Sequence, residues 1–366
     1  MLEFPPIMDL CVIHVVESLE PQAGSVAVSL GGLSAALGER GIESDAITLD
    51  RNRTVFGVGR STPFEPRTAA RIVQDAAVVH LHGWGGQLSR SMAGAARKLG
   101  KPYVISPLGG LCQGPHNIQR RRDRLRMFLS GNRLIREAAA VTVLNAAEER
   151  AVRDSGLNDE VRVLPYGLRF SDYEAKDHAD GDLPAALDGR CLLLLGPIHP
   201  VEGLVPLMKA FAEIGTEADG WHMVLAGRQV GQWRKMLEAA IRRKGGADRV
   251  LFASAPDVMI QRAWLARASA LATPSLHQRC PVSTLQAMAA GVAVIASDRV
   301  APDGLENAIC VCHPTWRDLA DALRRVFQLS DEDREAFARK ARDAGRLLLD
   351  WSVLANQYVE LYKSIA

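Results

Sequence analysis

The chain has 366 residues, of which 48% are hydrophobic and 23% charged, and its formal net charge is +2. This length allows two domains with separate cores, and the near balance of charge gives no reason to expect nucleic acid as a partner. No apolar run reaches the roughly 18 residues that a membrane-spanning helix needs. The start, Met1–Pro6, carries an acidic residue and two prolines, unlike a secretion signal. We therefore expect a cytoplasmic protein.

The six cysteines are scattered along the chain without a pattern of pairs, which is typical of a reducing compartment. They are Cys11, Cys112, Cys191, Cys280, Cys310 and Cys312. Cys310-Val-Cys312-His313 has the residue types of a metal clip but lacks a second ligand cluster at zinc spacing. Alternation on a buried strand explains this segment more simply, so we expect no metal.

Short apolar segments alternate with segments of helical period from end to end, which predicts parallel sheets with crossover helices. In the first half, the predicted strands are Leu10–Val16, Ser44–Leu49, Val78–His82, Tyr103–Ser106, Val141–Leu144 and Val161–Leu164. The predicted helices there are Val26–Arg40, Gln87–Leu99, Ile118–Ala138 and Ala147–Asp154. An acidic stretch with glycine and proline follows, and it is the best linker candidate.

The second half repeats the pattern. Its predicted strands are Cys191–Leu195, His222–Ala226, Val250–Phe252, Ala270–Thr273, Val292–Ala296 and Ala308–Val311. Its predicted helices are Leu204–Ile214, Gln232–Arg243, Val258–Arg267, Ser283–Ala290, Trp316–Phe327, Asp331–Leu348 and Trp351–Ile365. We expect an α/β protein with domains at 1–171 and 190–350, a linker at 172–189, and a separate final helix at 351–366. Ligands of such sheets bind at the carboxyl ends of strands and at helix N-termini, so a cleft between two Rossmann-like domains is the expected site.

Several segments, taken in order, resemble motifs of the family 4 retaining glycosyltransferases. They are His14–Ser25, Ala35–Ile42, Val78–Trp84, Pro102–Gly110, Val163–Gly167, Pro274–Gly291 and Trp351–Tyr362. The resemblance implies the GT-B fold: two Rossmann-like parallel-sheet domains facing across a cleft, with a C-terminal helix that crosses back to the first domain. It also implies transfer of a sugar from a nucleotide-sugar donor to a glycan or lipid-linked acceptor in glycoconjugate or polysaccharide synthesis. The anomeric configuration is retained, and neither a metal nor another cofactor is needed.

The same resemblance, with the cations that lie near its motifs, defines the expected site residues. His82 and Gln278 are the expected catalytic residues, with Gln278 holding the sugar. The expected donor-binding residues are Gly196, His199, Arg228, Arg279, Val282, Ser283, Thr284 and Gln286, with Gln286 holding the ribose. On the acceptor side we expect Gly24, Ser25, Gly109 and Gly110.

The donor motifs depart from the family at sugar, ribose and diphosphate positions. Gln278 and Gln286 stand where the family has glutamates, and glutamine loses the charge that strengthens such hydrogen bonds. Pro197 replaces an arginine, Glu202 replaces a lysine, and Pro281 replaces a glycine whose amide is a donor. A lost donor of this kind costs about 3 kcal/mol. If nothing replaces them, two lost cations cost roughly 6 kcal/mol, or about ten-thousandfold in rate. Arg228, Arg279 and Arg299 are candidate replacements outside the family positions.

Two hypotheses therefore stay open. The first is an active glycosyltransferase. The second is a pseudo-glycosyltransferase that serves as a partner or carbohydrate-binding subunit, for which a protein partner is expected.

Local alternatives stay open as well. His82 either contacts ligand or is packed, His199 either binds phosphate or is a solvated loop residue, and the two glutamines either bind donor or only cap and pack their helix. The basic run Arg120–Arg126 is either a peripheral contact to the inner membrane face or a solvated helix face.

Overall fold

The structure is a computed structural model. It describes residues 10–19, 25–50, 55–56, 59–65, 67–83, 85–109, 129, 131–174, 189–228, 233–242, 247–254, 258–276 and 282–366. Contacts divide the chain into two compact units. The first unit is Met1–Gly167 together with Trp351–Ala366, and the second is Leu168–Asp350.

The first unit is built on an eight-stranded sheet with the order β3-β4-β2-β1-β5-β6-β7-β8. Its strands are β1 Cys11–Val16, β2 Glu43–Thr48, β3 Val55–Phe56, β4 Gly59–Pro63, β5 Val78–His82, β6 Tyr103–Ser106, β7 Ala140–Val143 and β8 Val161–Val163. All neighbouring strands are parallel except β3 and β4, which pair antiparallel at the edge. The helices are α1 Ser25–Gly38, α2 Ala69–Gln74, α3 Gln87–Lys98, α4 Ala146–Ser155 and, from the chain's end, α11 Trp351–Ile365.

The second unit is built on a six-stranded parallel sheet with the order β11-β10-β9-β12-β13-β14. Its strands are β9 Arg190–Leu195, β10 Trp221–Ala226, β11 Val250–Ala253, β12 Ala270–Thr273, β13 Ala293–Ser297 and β14 Cys310–Cys312. Its helices are α5 Leu204–Glu213, α6 Trp233–Arg242, α7 Val258–Arg267, α8 Val282–Ala289, α9 Trp316–Phe327 and α10 Asp331–Leu349. The central strands are buried on both faces, as expected for a sheet covered by helices on each side.

The predicted fold class, two Rossmann-like parallel-sheet domains, is confirmed. Three strands and three helices have the predicted bounds: Val78–His82, Tyr103–Ser106, Ala270–Thr273, Val258–Arg267, Trp316–Phe327 and Trp351–Ile365. Strands β3 and β4 and helix α2 were not predicted. The predicted helix Ile118–Ala138 and the predicted linker 172–189 lie mostly outside the described residues, and residues 131–136 are helical.

Helix α11 packs on α1 within the first unit. The Trp351 side chain is 1% exposed, and a Cβ atom added at Gly32 would lie 2.3 Å from its Nε1. Just after α1, Arg40 donates from Nε to Asn356 Oδ1 at 2.7 Å and from Nη2 to the Ser352 carbonyl at 2.6 Å. Only a glycine on α1 permits this approach of the indole.

The two ends of the second unit lie side by side. Leu168 and Asp350 form a parallel bridge, and the Leu168 N–H donates to the Leu349 carbonyl at 3.0 Å. The Phe170 N–H donates to the Asp350 carboxylate at 2.9 Å. The chain therefore enters and leaves this unit at one place.

Within the described residues, no helix combines the length and the apolar composition that crossing a bilayer requires.

Candidate functional site

The loops that follow β9 and β10 contact each other at the carboxyl edge of the second sheet. The Gly196 N–H donates to the Ala226 carbonyl at 3.0 Å, and the Ile198 N–H donates to the Arg228 carbonyl at 2.9 Å. A Cβ at Gly227 would lie 1.8 Å from the Gly196 oxygen, so only glycine fits there. Gly196 itself has a backbone φ of 157°, a value that residues other than glycine rarely adopt. The predicted donor residues Gly196 and Arg228 are therefore neighbours.

The loop after β12 lies at the same edge and contacts the loop after β9. Gly203 has a φ of 73°, and a Cβ there would lie 2.0 Å from the Pro274 oxygen. The Leu276 N–H donates to the Val201 carbonyl at 2.9 Å. Close backbone packing thus fixes the positions of three loops at the edge where Rossmann-like sheets bind ligands.

His199 belongs to the first of these loops and is half-buried. Its Nδ1 accepts from the Val201 N–H at 3.3 Å, capping the short 3-10 turn Pro200–Glu202. Its ring meets the Trp233 ring edge-on, with centroids 6.4 Å apart. His199 therefore has a local structural role, and phosphate binding by this residue stays a prediction.

Val282, Ser283 and Thr284 form the first turn of α8. The Val282 and Thr284 side chains are buried, and the Thr284 hydroxyl lies 3.2 Å from the Thr273 hydroxyl. Ser283 is half-buried. The backbone amides at such a helix start attract anions. Gln278 and Arg279, with Pro281, lie outside the described residues.

Gln286 lies on α8 and is 2% exposed. Its Nε2 donates to the Tyr173 hydroxyl at 2.9 Å and to Gln261 Oε1 at 3.3 Å. The Arg262 guanidinium stacks 4.7 Å from the centre of the Tyr173 ring. These contacts fit the packing interpretation of Gln286, and ribose binding stays a prediction. Sequence patterns did not indicate Tyr173, because it follows the predicted boundary of the first domain.

Three buried histidines cluster on one face of the first sheet. His14 of β1 is the register partner of His80 on β5, and His82 lies two residues further along the same face. The ring centroids of His80 and His82 are 4.1 Å apart, and those of His14 and His82 are 5.2 Å apart. Sequence analysis singled out only His82. His80 lies two residues away on the same face of the strand, and the parallel register of β1 with β5 adds His14.

Hydroxyl groups complete this histidine cluster. His14 Nδ1 lies 3.0 Å from His82 Nε2, and His82 Nδ1 lies 3.3 Å from the Tyr166 hydroxyl. His80 binds the Tyr362 hydroxyl at 2.7 Å and the Ser106 hydroxyl at 2.8 Å. Both ring nitrogens of His82 thus have protein partners, and the residue is 3% exposed. A catalytic role for His82 stays a prediction.

The cluster is neutral. Burial lowers the pKa of His14 to about 3 and lowers the pKa values of His80 and His82 well below the usual 6.5, with a further contribution from the neighbouring imidazoles. One nitrogen of each ring lies within 4.8 Å of the others, as in a metal site. Among the described residues, however, five of the six ring nitrogens already have a protein partner, and only His14 Nε2 has none. We interpret the cluster as a hydrogen-bonded network; function without a metal stays a prediction.

A strained turn follows β6 in the first unit. Leu108 has a φ of 56°, uncommon for a residue other than glycine, and Gly109 has a φ of 79°. The buried Glu148 carboxylate accepts the Gly109 N–H and, at 2.9 Å, the Leu144 N–H. Burial raises the pKa of Glu148, and these two hydrogen bonds oppose the rise. Backbone strain of this kind clusters at functional sites.

Of the other predicted acceptor-side residues, Ser25 begins α1, whereas Gly24 and Gly110 lie outside the described residues. The Gly83 N–H donates to the Ser106 carbonyl at 2.9 Å, which ties the end of β5 to the start of the strained turn. His82, the last residue of β5, and Gly109, in the turn after β6, therefore lie at the same edge of the first sheet. Glu148 was missed in the sequence, although Asn145-x-x-Glu148 has the spacing of a helix capping box.

Solved structures define the class of protein. The chain is similar to sucrose-phosphate synthase from Thermosynechococcus elongatus, with a TM-score of 0.78, 20% identity, and coverage of 97% of this chain and 98% of that one. It is also similar to the Anabaena HepE protein in complex with UDP and glucose, with a TM-score of 0.76, 16% identity, and coverage of 96% and 99%. The fold is GT-B.

Sequence comparisons then define the family. Residues 24–167 match a glycosyl transferase 4-like domain, and residues 189–328 match glycosyl transferases group 1. A GDP-mannose:cellobiosyl-diphosphopolyprenol alpha-mannosyltransferase from Xanthomonas campestris is 24% identical over 385 residues, covering 96% of each chain. The protein belongs to the family 4 glycosyltransferases of GT-B type. The predicted function, glycosyl transfer from a nucleotide-sugar donor, is confirmed at this level, and nothing in these comparisons favours the pseudo-glycosyltransferase alternative.

Proposed function

We propose that this protein is an α-mannosyltransferase that uses GDP-mannose as its donor and a glycan on a polyprenyl diphosphate as its acceptor. The observation that supports this choice is the Xanthomonas campestris relative, whose name states this donor and acceptor class and which aligns with 96% of both chains. Retention of the anomeric configuration is expected of the family.

In this proposal the donor binds at the carboxyl edge of the second unit's sheet. The loops after β9 and β10 and the amides that open α8 face the donor diphosphate, because aimed N–H groups stabilise the charge that develops on the leaving group. The strained turn at Leu108 and Gly109 contributes to acceptor binding. The proposal, as expected of the family, includes no metal ion and no other cofactor.

The lipid-linked acceptor determines where the protein works. We propose that it is cytoplasmic and docks peripherally on the inner membrane face, with the basic run Arg120–Arg126 against anionic lipid. Vesicle sedimentation with and without anionic lipid tests this part, and equal binding to both kinds of vesicle would contradict it.

The donor is tested by calorimetric titration of the purified protein with GDP, UDP and ADP and with the corresponding nucleotide sugars. We expect GDP and GDP-mannose to bind more tightly than the others, and mannose to appear on a polyprenyl-diphosphate-linked acceptor in a radiolabel assay. If none of these compounds binds at millimolar concentration, the enzyme hypothesis is wrong.

A second experiment separates the enzyme from the pseudo-glycosyltransferase. The variant Gln278→Glu, Gln286→Glu, Glu202→Lys restores three family residues. If hydrolysis of the donor occurs only in this variant, the natural chain has lost catalysis and acts as a binding subunit. If the natural chain already turns over GDP-mannose, the substitutions define an unusual donor site.

A further inference from the structure

The donor site lacks the cations on which its family relies. The first loop of the second unit carries Pro197 and Glu202 where an arginine and a lysine are expected. A nucleoside diphosphate carries negative charge that grows as the sugar leaves, and this charge needs a cation or aimed donors. An active enzyme must therefore place a positive charge here from another position.

Arg228 is in the right place. It is the second residue after β10, and its carbonyl accepts the Ile198 N–H at 2.9 Å, so its backbone lies directly beside the loop that lost the cations. The close contact between Gly227 and Gly196 fixes this neighbourhood. Register pairing of Ala226 with Leu195 places both loops at the carboxyl edge of the sheet.

The charge of Arg228 is also available. Its side chain is exposed and makes no hydrogen bond or ion pair with another residue in the described ranges. By contrast, Arg234 pairs with Glu238 at 2.7 Å and Arg262 pairs with Asp172 at 3.1 Å. Arg299 lies 3.5 Å from the carboxylate of its neighbour Asp298. Those three guanidiniums already have carboxylate partners.

We propose that Arg228 binds the diphosphate of the nucleotide-sugar donor and supplies the positive charge that Pro197 and Glu202 no longer provide. A guanidinium suits this task because its planar fork binds phosphate oxygens in pairs. The proposal rests on the proposed function, since it assumes a nucleoside-diphosphate donor. Arg228 does not stand at a position where the family motif has a cation.

The experiment measures GDP and guanosine binding by calorimetry in the full-length protein. Arg228→Gln is expected to weaken GDP binding by roughly ten- to a hundredfold, the usual loss for a charged hydrogen bond to phosphate, while guanosine binding is unchanged. Arg228→Lys keeps the positive charge but not the planar guanidinium fork, so it is expected to weaken GDP binding less than Arg228→Gln does.

Arg267→Gln is the matched control. Arg267 is also exposed, but it lies near Cys191 at the opposite end of β9, where burial raises the pKa of the Cys191 thiol to about 12 and the charge of Arg267 opposes this rise. Its loss is expected to leave GDP binding unchanged.

The outcomes separate this inference from the proposed function. If the natural chain binds GDP and Arg228→Gln binds it equally well, the inference is overturned and the proposed function stands. If the chain binds UDP and not GDP, the proposed donor is wrong, and UDP against uridine then tests Arg228 in the same way. If no nucleoside diphosphate binds, both are overturned.

Discussion

Glu148 illustrates how a single carboxylate can organise two loops. It lies in the first turn of α4, is 1% exposed, and accepts N–H groups from Gly109 and Leu144. The Asn145 side chain caps the same turn by accepting the Glu148 N–H at 2.9 Å. The helix start favours a negative charge at this position, and the carboxylate in turn holds the strained turn in place.

Glu148→Gln is therefore expected to destabilise the protein by about 1–3 kcal/mol. Glutamine has one acceptor oxygen in place of two, so its NH2 group faces one of the two backbone N–H groups, which then has no acceptor. Relief of the buried charge offsets part of this loss. Urea denaturation measures the difference. Glu149→Gln is the control: Glu149 forms an exposed ion pair with Arg153 at 2.9 Å, and its loss is expected to change stability by under about 1 kcal/mol. Equal stability of the two variants would remove the stabilising role from Glu148.

At the residue scale, the sequence predicts positions better than roles. The two glycines Gly196 and Gly109 were recognised because their segments resemble family motifs, and both have positive φ values. Gln286 was recognised too, but its contacts to Tyr173 and Gln261 join segments far apart in the chain. No local sequence pattern predicts contacts between such distant segments. The sequence therefore did not show that the Gln286 side chain packs against Tyr173 and Gln261.

Helix α11 depends on one small residue in α1. The Trp351 indole lies so close to Gly32 that any side chain there would collide with Nε1 and Cδ1. The indole Nε1 is buried and, within the described chain, has no hydrogen-bond partner. The position of this helix is therefore determined by shape as well as by the polar contacts of Arg40.

Gly32→Ala tests this contact between helices. Alanine gains up to about 1 kcal/mol of helix propensity, but the added methyl group overpacks the contact, which typically costs about 1–3 kcal/mol. We expect a net loss of stability and weaker protection of α11 amides in hydrogen exchange. Gly94→Ala on α3 is the control, because the nearest atom to its new Cβ is the end of the Arg97 side chain at 4.0 Å. If both variants gain stability, the Gly32 contact is not tight.

At the element scale, the prediction succeeded where hydrophobic period and turn residues agree. Strand β12 has the predicted bounds because Ser269 precedes it and Pro274 follows it, and helix α7 begins where predicted, directly after Pro256 and Asp257. Strands β3 and β4 are short, flank Gly57, and pair antiparallel at an edge, so they carry no alternating apolar signal. Helix α2 spans only Ala69–Gln74, too short to establish a helical period.

For the whole molecule, the histidine cluster makes folding sensitive to acid. The folded pKa values of His14, His80 and His82 lie below the usual 6.5, and that of His14 is about 3. Below pH 6.5 the unfolded chain therefore binds more protons than the folded chain. These histidines do not reduce the free energy of unfolding above pH 6.5. They reduce it progressively as the pH falls from 6.5 toward their pKa values in the folded state.

Urea denaturation at pH 7, 6 and 5 checks this expectation. Each buried histidine is expected to remove about 1.4 kcal/mol of stability per pH unit once the pH is below its unfolded pKa. The variant His14→Asn has one such group fewer, so its stability is expected to fall less steeply than that of the natural chain over the same range. Parallel slopes for the two proteins would show that His14 titrates alike in the folded and unfolded states.

The bridge between Leu168 and Asp350 has a consequence for the ancestry and engineering of the molecule. Because its ends meet, the second unit is an insertion in the first, encoded as one uninterrupted stretch of 183 codons from Leu168 to Asp350. A unit encoded in this way can be exchanged as one segment, at two junctions that lie side by side in the structure. It is also suited to circular permutation, since a short loop suffices to join its natural ends.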